Sequence, residues 1–388
     1  MWTACSCASL RAKLPCNVCA LEILGDMARI FTPLRIRKLL VRNRIWLSPM
    51  CMYSCENEDG IVGDWHLVHL GARAAGGFGL IMTEASAVSP EGRISPHDAG
   101  IWNDGQAAAW RPIVEFVHSQ GAAIGIQLAH AGRKASTHRP FPGEISGIVT
   151  AANGGWDVIG PSAERYPGLK NPTVMTTDDI ERVIADFASA AERAIAAGFD
   201  AIEIHAAHGY LLHSFLSPLS NLREDQWGGS FENRTRFLLE TVRKVRSTVG
   251  DEFPIFVRVS ATDWAEGGWS IEDSTHLASL LSDAGCDLID VSSGGNVPAK
   301  IPLGPGYQVP LAATISAELR ARALDTYVGT VGLITDGTQA EKILAAEDAD
   351  VVLLGRAGLR EPNWPMAAKG PLRSDTPFWP PQYIRAEL

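Results

Sequence analysis

His205, His208 and Tyr210 lie close together in the run Glu203-Ile204-His205-Ala206-Ala207-His208-Gly209-Tyr210. Histidines three apart point to opposite faces of an extended strand, but where the chain turns they converge as i,i+3 neighbours do on a helix. Two converging imidazoles offer two kinds of chemistry. They can hydrogen-bond a carbonyl oxygen that gains negative charge, with the tyrosine as a nearby proton donor. With a third ligand such as His130 or Glu203 they can instead hold zinc. Spacing alone does not separate the two. Arg258 closes another apolar run, where an unpaired guanidinium is costly. Its presence implies a bound anion, an electron-rich ring edge, or an internal salt bridge to Glu84 or Glu203. Gly332 and Gly355-Arg356 follow two later runs; glycines there free backbone N–H groups for a phosphate, and Arg356 adds a bidentate contact.

Eight short apolar runs must position these residues: 43–50, 78–88, 122–130, 201–208, 255–261, 288–294, 327–334 and 351–355. Their near-continuous apolarity is that of parallel strands buried on both faces. Helix-period segments separate them, at Asp64–Ala75 (closed by Gly76-Gly77), Thr177–Ala197, Phe231–Val249, 271–284, 310–322 and Gly337–Ala345. The alternation predicts an α/β fold, a (β/α)8 TIM barrel. A doubly wound sheet ranks second, because no G-x-G-x-x-G follows any strand. In a barrel, function gathers at the C-terminal strand ends. Those ends collect Ser48-Pro49-Met50-Cys51-Met52-Tyr53-Ser54, Glu84-Ala85, Gln127 with His130, the histidine run, Arg258, Ser292-Ser293-Gly294-Gly295, Gly332 and Gly355-Arg356. The Gly- and Pro-rich stretch 136–171 after the third strand is too long for a simple crossover and reads as a lid or cap over the active face.

The chain has 388 residues, 46% hydrophobic and 20% charged, with a formal net charge of −10. Acidic and without a Lys/Arg-rich run, it is a poor partner for nucleic acid or anionic membrane. No apolar stretch approaches the ~18 residues of a membrane span. Composition also excludes disorder, a coiled coil and a disulfide scaffold, leaving a cytoplasmic enzyme as the expectation. Four of the seven cysteines (Cys5, Cys7, Cys16, Cys19) crowd the first twenty residues. That C-x-C…C-x-x-C pattern could hold zinc, but a disordered or mis-assigned leader over residues 1–26 is the favoured reading, with Met27 as an alternative start. Arg11, Lys13 and Pro15 interrupt any signal-peptide core. Residues 27–388 are then one barrel domain carrying the lid.

Several of these segments resemble the Old Yellow Enzyme family. They are Ser48 to Ser54, Gly125 to Lys134 (Gly-Ile-Gln-Leu-Ala-His-Ala-Gly-Arg-Lys), Ile204 to Leu211, Phe215 to Arg223 and Trp227 to Arg234. The nearest likeness is to the bacterial thermophilic-like ene-reductase and NADPH dehydrogenase branch, from about Arg29 to Arg385. The resemblance implies a tightly bound FMN, reduced by NADPH or NADH, that passes hydride in a ping-pong cycle to the β-carbon of α,β-unsaturated carbonyl compounds. By position, Ser48, Pro49, Met50, Cys51, Ala85, Gln127 and Arg258 would line the flavin, with Gln127 and Arg258 at its polar edge. Gly332, Gly355 and Arg356 would hold the phosphate, and Tyr53 would contact the substrate. His205 and His208 would hold the substrate oxygen, while Tyr210 or solvent protonates the α-carbon. Cys51 stands where other branches carry threonine. The segment Gln382-Tyr383-Ile384-Arg385 resembles one that reaches a neighbouring subunit's site, implying a homodimer or homotetramer with Arg385 acting across the interface. The leader and the long 136–171 loop depart from the pattern, and the loop bears on substrate range. Three rivals carry other expectations. An iron–sulfur reductase of the dienoyl-CoA type needs a further cysteine cluster and a dinucleotide domain. A metal-dependent barrel hydrolase needs zinc, and a flavin-binding sensor needs neither histidine.

Overall fold

The computed structural model describes residues 27–372 and 379–386, so Cys5, Cys7, Cys16 and Cys19 lie outside the described residues. The described chain opens with a hairpin, β1 (Leu34–Ile36) and β2 (Leu39–Val41), then enters β3 (Ile45–Leu47), β4 (Leu80–Ala87) and β5 (Ala123–Ala129). A two-residue parallel pair, β6 (Ile159–Gly160) and β7 (Thr173–Val174), lies in the long connection. β8 (Ala201–Ala206), β9 (Ile255–Ser260), β10 (Leu288–Ser292), β11 (Tyr327–Thr330) and β12 (Val351–Leu354) follow. β3, β4, β5 and β8 through β12 pair in that order and close into an eight-stranded barrel of parallel strands. Each barrel strand falls inside one of the eight apolar runs, and nearly every strand residue is buried. Helices on the outside cover one face and barrel side chains fill the other, which is why the strands do not alternate. Among the described residues no helix is long and apolar enough to cross a membrane.

Helices at Asp64–Ala75, Thr177–Ala197, Phe231–Val249 and Gly337–Ala345 occur at the bounds the periodicity indicates. Thr176 caps the second by accepting from the Asp179 N–H, with Asp179 returning the bond; Gly198 at φ 96° closes it. Some elements escape the sequence patterning, the short helices Leu211–Leu216, Arg356–Arg360 and Trp364–Leu372 among them. The hairpin β1–β2 precedes residue 43, where the organised runs begin, and helix Asp104–Ser119 contains Pro112, which obscures its period.

The two ends of the barrel differ in chemistry. The N-terminal end is plugged by apolar side chains: Trp46, Leu80, Met82, Phe256, Leu288, Val351 and Leu353 pack with hairpin residues Leu34, Ile36 and Val41. Trp46 is fully buried and stacks on Phe256, with ring centroids 5.7 Å apart. The C-terminal half instead buries Gln127, Glu203, Arg258 and Asp290. A sealed floor beneath a polar mouth confines a ligand to one end. Trp46→Ala removes the largest side chain of the plug and should cost about 3–5 kcal/mol. The check is a lowered thermal midpoint of the purified protein with its bound cofactor.

Candidate active site

The histidine run leaves its strand where convergence requires it to. β8 ends at Ala206; His208 and Gly209 then take left-handed backbone conformations, at φ 61° and 74°. The turn brings the His205 and His208 rings edge to face, centroids 5.2 Å apart, and sets the Tyr210 ring 5.0 Å from His205. A left-handed histidine is uncommon and has to be held. The His208 N–H donates to Ser260 Oγ at 2.9 Å. Lys134 Nζ bridges the His208 and Gly295 carbonyls at 2.8 and 2.9 Å. Gly209 and Gly295 (φ 88°) pack against each other so closely that a Cβ on Gly295 would stand 2.7 Å from His208 Cα. Only glycine allows that approach.

The network also assigns the His205 ring proton. His205 Nδ1 accepts from the Ala207 N–H at 3.2 Å, so its proton sits on Nε2. For His208 the bonded atom is Nε2, 2.7 Å from Ser292 Oγ. Gln308 is oriented by donating to the Val331 carbonyl at 2.8 Å, and its oxygen already accepts from Ser293 Oγ at 2.6 Å. Ser292 Oγ also reaches that oxygen, donating to it at 3.4 Å, so its contact with Nε2 leaves Nδ1 as the His208 ring nitrogen not engaged by Ser292. Burial, and then the charge of Arg258, hold both imidazoles well below their usual range, so both are neutral donors. Burial likewise pushes the Tyr210 phenol up and keeps its proton on.

Below them, Gln127 donates to Glu203 Oε1 at 2.7 Å, which turns its carbonyl oxygen away from Glu203. Arg258 pairs with neither Glu84 nor Glu203, the two partners the sequence suggests. Its partner is Asp290, 3.0 Å from Nε and directly opposite on the adjacent strand β10. Glu84 is taken by the Met52 N–H at 2.9 Å and by His66 at 3.2 Å.

An open cleft of about 720 Å³ runs across this mouth, lined by Ser48, Pro49, Met50 and Arg258 at one end and by Gly332, Gly355 and Arg356 toward the other. Gly332 sits at φ 126°, where a Cβ would press on the Tyr307 ring and Gln308 amide at 3.0 Å. Ser292, Tyr307 and Gln308 line the cleft too. Ser292 is at a strand end, but Tyr307 and Gln308 come at the far end of the loop after β10, beyond the reach of a strand-end reading. Cys51 and Tyr53 lie beside Tyr210; burial, with Asp98 and Glu84 adding, pushes the Cys51 thiol up, so it acts as a neutral group. Ala85 lines a small cavity with Tyr210. The segment 136–171 lies over this side: Trp156 and Val158 pack with Cys51, Tyr53 and Tyr210, and Arg139 donates to the Tyr53 carbonyl at 3.1 Å. Arg385 is exposed on the short helix Pro381–Ala386 and does not line the cleft. Neither suggested third metal ligand joins the histidines. His130 Nδ1 accepts from the Gly132 N–H at 3.0 Å, and among the described residues no group of three His, Cys, Asp or Glu side chains could share a metal.

The donors fit FMN. A free amide oxygen and a buried guanidinium suit a flavin's polar ring edge, and the glycine turns with Arg356 suit a phosphate. A parallel barrel with such a cleft and paired histidines defines a flavin-dependent oxidoreductase. The chain belongs to the NADH:flavin oxidoreductase / NADH oxidase family, which matches residues 29–375. It is 48% identical over 340 residues to the NADPH dehydrogenase of Geobacillus thermodenitrificans, covering 87% of this chain and 93% of that one. The NADPH dehydrogenase of Halalkalibacterium halodurans is 46% identical over 360 residues, 93% and 99% of the two chains. Among solved structures, morphinone reductase is 29% identical with a TM-score of 0.74, covering 89% of this chain and 90% of the other. A 2-naphthoyl-CoA reductase is 26% identical with a TM-score of 0.78, covering 87% of this chain and 51% of the other. The chain is an FMN enzyme with NAD(P)H as reductant, in the Old Yellow Enzyme family.

Gly295→Ala tests the clamped turn. The added methyl should displace His208, lowering kcat/KM with the best acceptor at least tenfold, on the order of 1.4 kcal/mol. Flavin content, read from the visible absorbance per chain, should stay unchanged.

Proposed function

We propose that this enzyme reduces the activated C=C bond of α,β-unsaturated carbonyl compounds. The observation that carries the reading is the pair of neutral imidazoles meeting edge to face, with the His205 Nε2–H and the His208 Nδ1 edge left free by their other contacts, beside a protonated Tyr210. When bound, FMN supplies the hydride that NAD(P)H replenishes. His205 and His208 donate to the carbonyl oxygen, drawing electron density from the β-carbon and stabilising the enolate as it forms; one such donor is worth about 3 kcal/mol. Tyr210 holds a proton for the α-carbon, and solvent is the alternative donor.

Gln127 and Arg258 orient the ring edge, with Ser48, Pro49, Met50, Cys51 and Ala85 along the ring and Gly332, Gly355 and Arg356 at the phosphate. Tyr53 and the lid segment 136–171 shape the substrate side, and Trp156 keeps water from Cys51 and Tyr210. Residues 27–388 act as one domain in this reading, and the cysteine-poor body suits a reducing cytoplasm. The names of the solved relatives, reductases of morphinone and of 2-naphthoyl-CoA, support an organic acceptor.

The direct test is spectroscopic. Under anaerobic conditions NADPH should bleach the flavin band, and 2-cyclohexenone should restore it. A protein that bleaches but never recovers with any enone contradicts the proposal, and a colourless, zinc-containing protein contradicts the cofactor as well. The same reading includes a homodimer or homotetramer in which Arg385 reaches a neighbour's site. Truncation after Pro381 should raise KM for the enone severalfold, and unchanged kinetics and size in light scattering would refute that role.

A further inference from the structure

The middle of the barrel holds a charge set that binding a ring does not require. Glu203 and Asp290 are wholly buried, Gln127 and Arg258 nearly so. Two carboxylates therefore share a single guanidinium. Asp290 Oδ2 stands 3.0 Å from Arg258 Nε, directly across the β9–β10 pairing. Glu203 is differently placed. Its Oε1 accepts from the neutral Gln127 Nε2 at 2.7 Å across the β5–β8 pairing, and its Oε2, like both Asp290 oxygens, is buried with no hydrogen-bond partner, but no guanidinium stands against it as Arg258 stands against Asp290. A buried carboxylate with a bare oxygen meets that cost by taking a proton.

The groups facing Glu203 decide which carboxyl does so. Gln127 from β5 offers a neutral amide, Arg258 from β9 is already paired, and Asp290 from β10 is a like charge. His205, on Glu203's own strand, is neutral. Burial raises both carboxyls and Arg258 opposes it in both, but only Asp290 has the guanidinium against it, at 3.0 Å, while Glu203 has a neutral amide. Burial, and then the charge of Asp290, push Glu203 up to about 8.

We propose that Glu203 is a positioning residue that orients Gln127 and takes up one proton from solvent when the flavin is reduced. The inference rests on reading Gln127 and Arg258 as the groups at the flavin's polar edge. Reduction by two electrons and one proton leaves a negative charge on the ring, beside Arg258. That charge competes with Asp290 and Glu203 for the single guanidinium, so an ionised Glu203 is disfavoured further and its carboxylate binds a proton as an O–H bond. Below the pH at which Glu203 ionises in the oxidised enzyme, the proton is already present and reduction takes up none through this residue. Above it, reduction takes up one more proton for every two electrons, until the reduced enzyme also loses it. The same protonated carboxyl keeps its carbonyl oxygen for Gln127, which fixes the amide and so the face shown to the ring.

The test is a potentiometric titration of the flavin absorbance of the holoenzyme, with dithionite as reductant, from about pH 6 to about pH 10. The expected midpoint potential falls with a slope of one proton per two electrons at low pH, steepening to two protons per two electrons above about pH 8. Glu203→Gln, which keeps an oxygen for Gln127, should remove the steepening while retaining flavin. A single slope in the wild type overturns the proposal without any variant. So does a steepening that survives in Glu203→Gln or disappears in Asp290→Asn alone. If Glu203→Gln does not fold, the reduced-minus-oxidised infrared spectrum of the wild type above pH 8 decides the matter: a gained carboxylic C=O band supports proton uptake, and its absence refutes it. A protein that binds no flavin fails the cofactor assignment instead, an outcome visible in its absorbance before any titration.

Discussion

The turn at Ala207-His208-Gly209 is the constraint on which the site depends. A strand continued through His208 would send the two imidazoles to opposite faces. A left-handed His208 followed by a left-handed Gly209 makes them meet at 5.2 Å. That conformation costs on the order of 1 kcal/mol or more and persists because its surroundings over-determine it. Lys134 binds the carbonyl of the turn and that of Gly295, and the two glycines let the loops after β8 and β10 touch. The clamp thus joins three βα loops, and the catalytic geometry belongs to the barrel mouth as a whole.

The turn does a second thing. Its own backbone N–H, at Ala207, occupies His205 Nδ1, while the Ser292 hydroxyl occupies His208 Nε2. Each imidazole is left with one unengaged ring nitrogen, Nε2 on His205 and Nδ1 on His208, and burial keeps both uncharged. Neutral donors fixed before the substrate arrives need no reorganisation as charge develops, and this is where preorganised electrostatics gains most of its effect. The same division of labour appears below, where Glu203 fixes the Gln127 amide and Asp290 holds Arg258. The apolar plug around Trp46 and Phe256 keeps this polar set at one end of the barrel.

Much of this was legible in the sequence, and what was not has physical causes. Strands buried on both faces read as continuous apolar runs, so all eight barrel strands and the residues at their C-terminal ends could be named. Capping residues such as Thr176 and Gly198 marked helix bounds. The partner of Arg258 was not legible, because it depends on register between β9 and β10; the local sequence offers Glu84 and Glu203 equally well. Tyr307 and Gln308 were missed because the loop after β10 folds back into the cleft. Helix Asp104–Ser119 was hidden by Pro112, although Asn103 and Gln106 form a capping box that signals its start. The contact that engages His208 Nε2 joins it to Ser292, far away in the chain, and has no local sequence signal at all.

The central claim is that two imidazoles, held by one turn, carry the charge of the substrate oxygen. Anaerobic stopped-flow spectroscopy tests it most directly, following reoxidation of the NADPH-reduced enzyme by 2-cyclohexenone and, separately, by oxygen. In His205→Ala and in His208→Ala, reoxidation by the enone should slow on the order of a hundredfold, with reoxidation by oxygen changed little. Equal slowing with both oxidants, or none with the enone, would contradict the account.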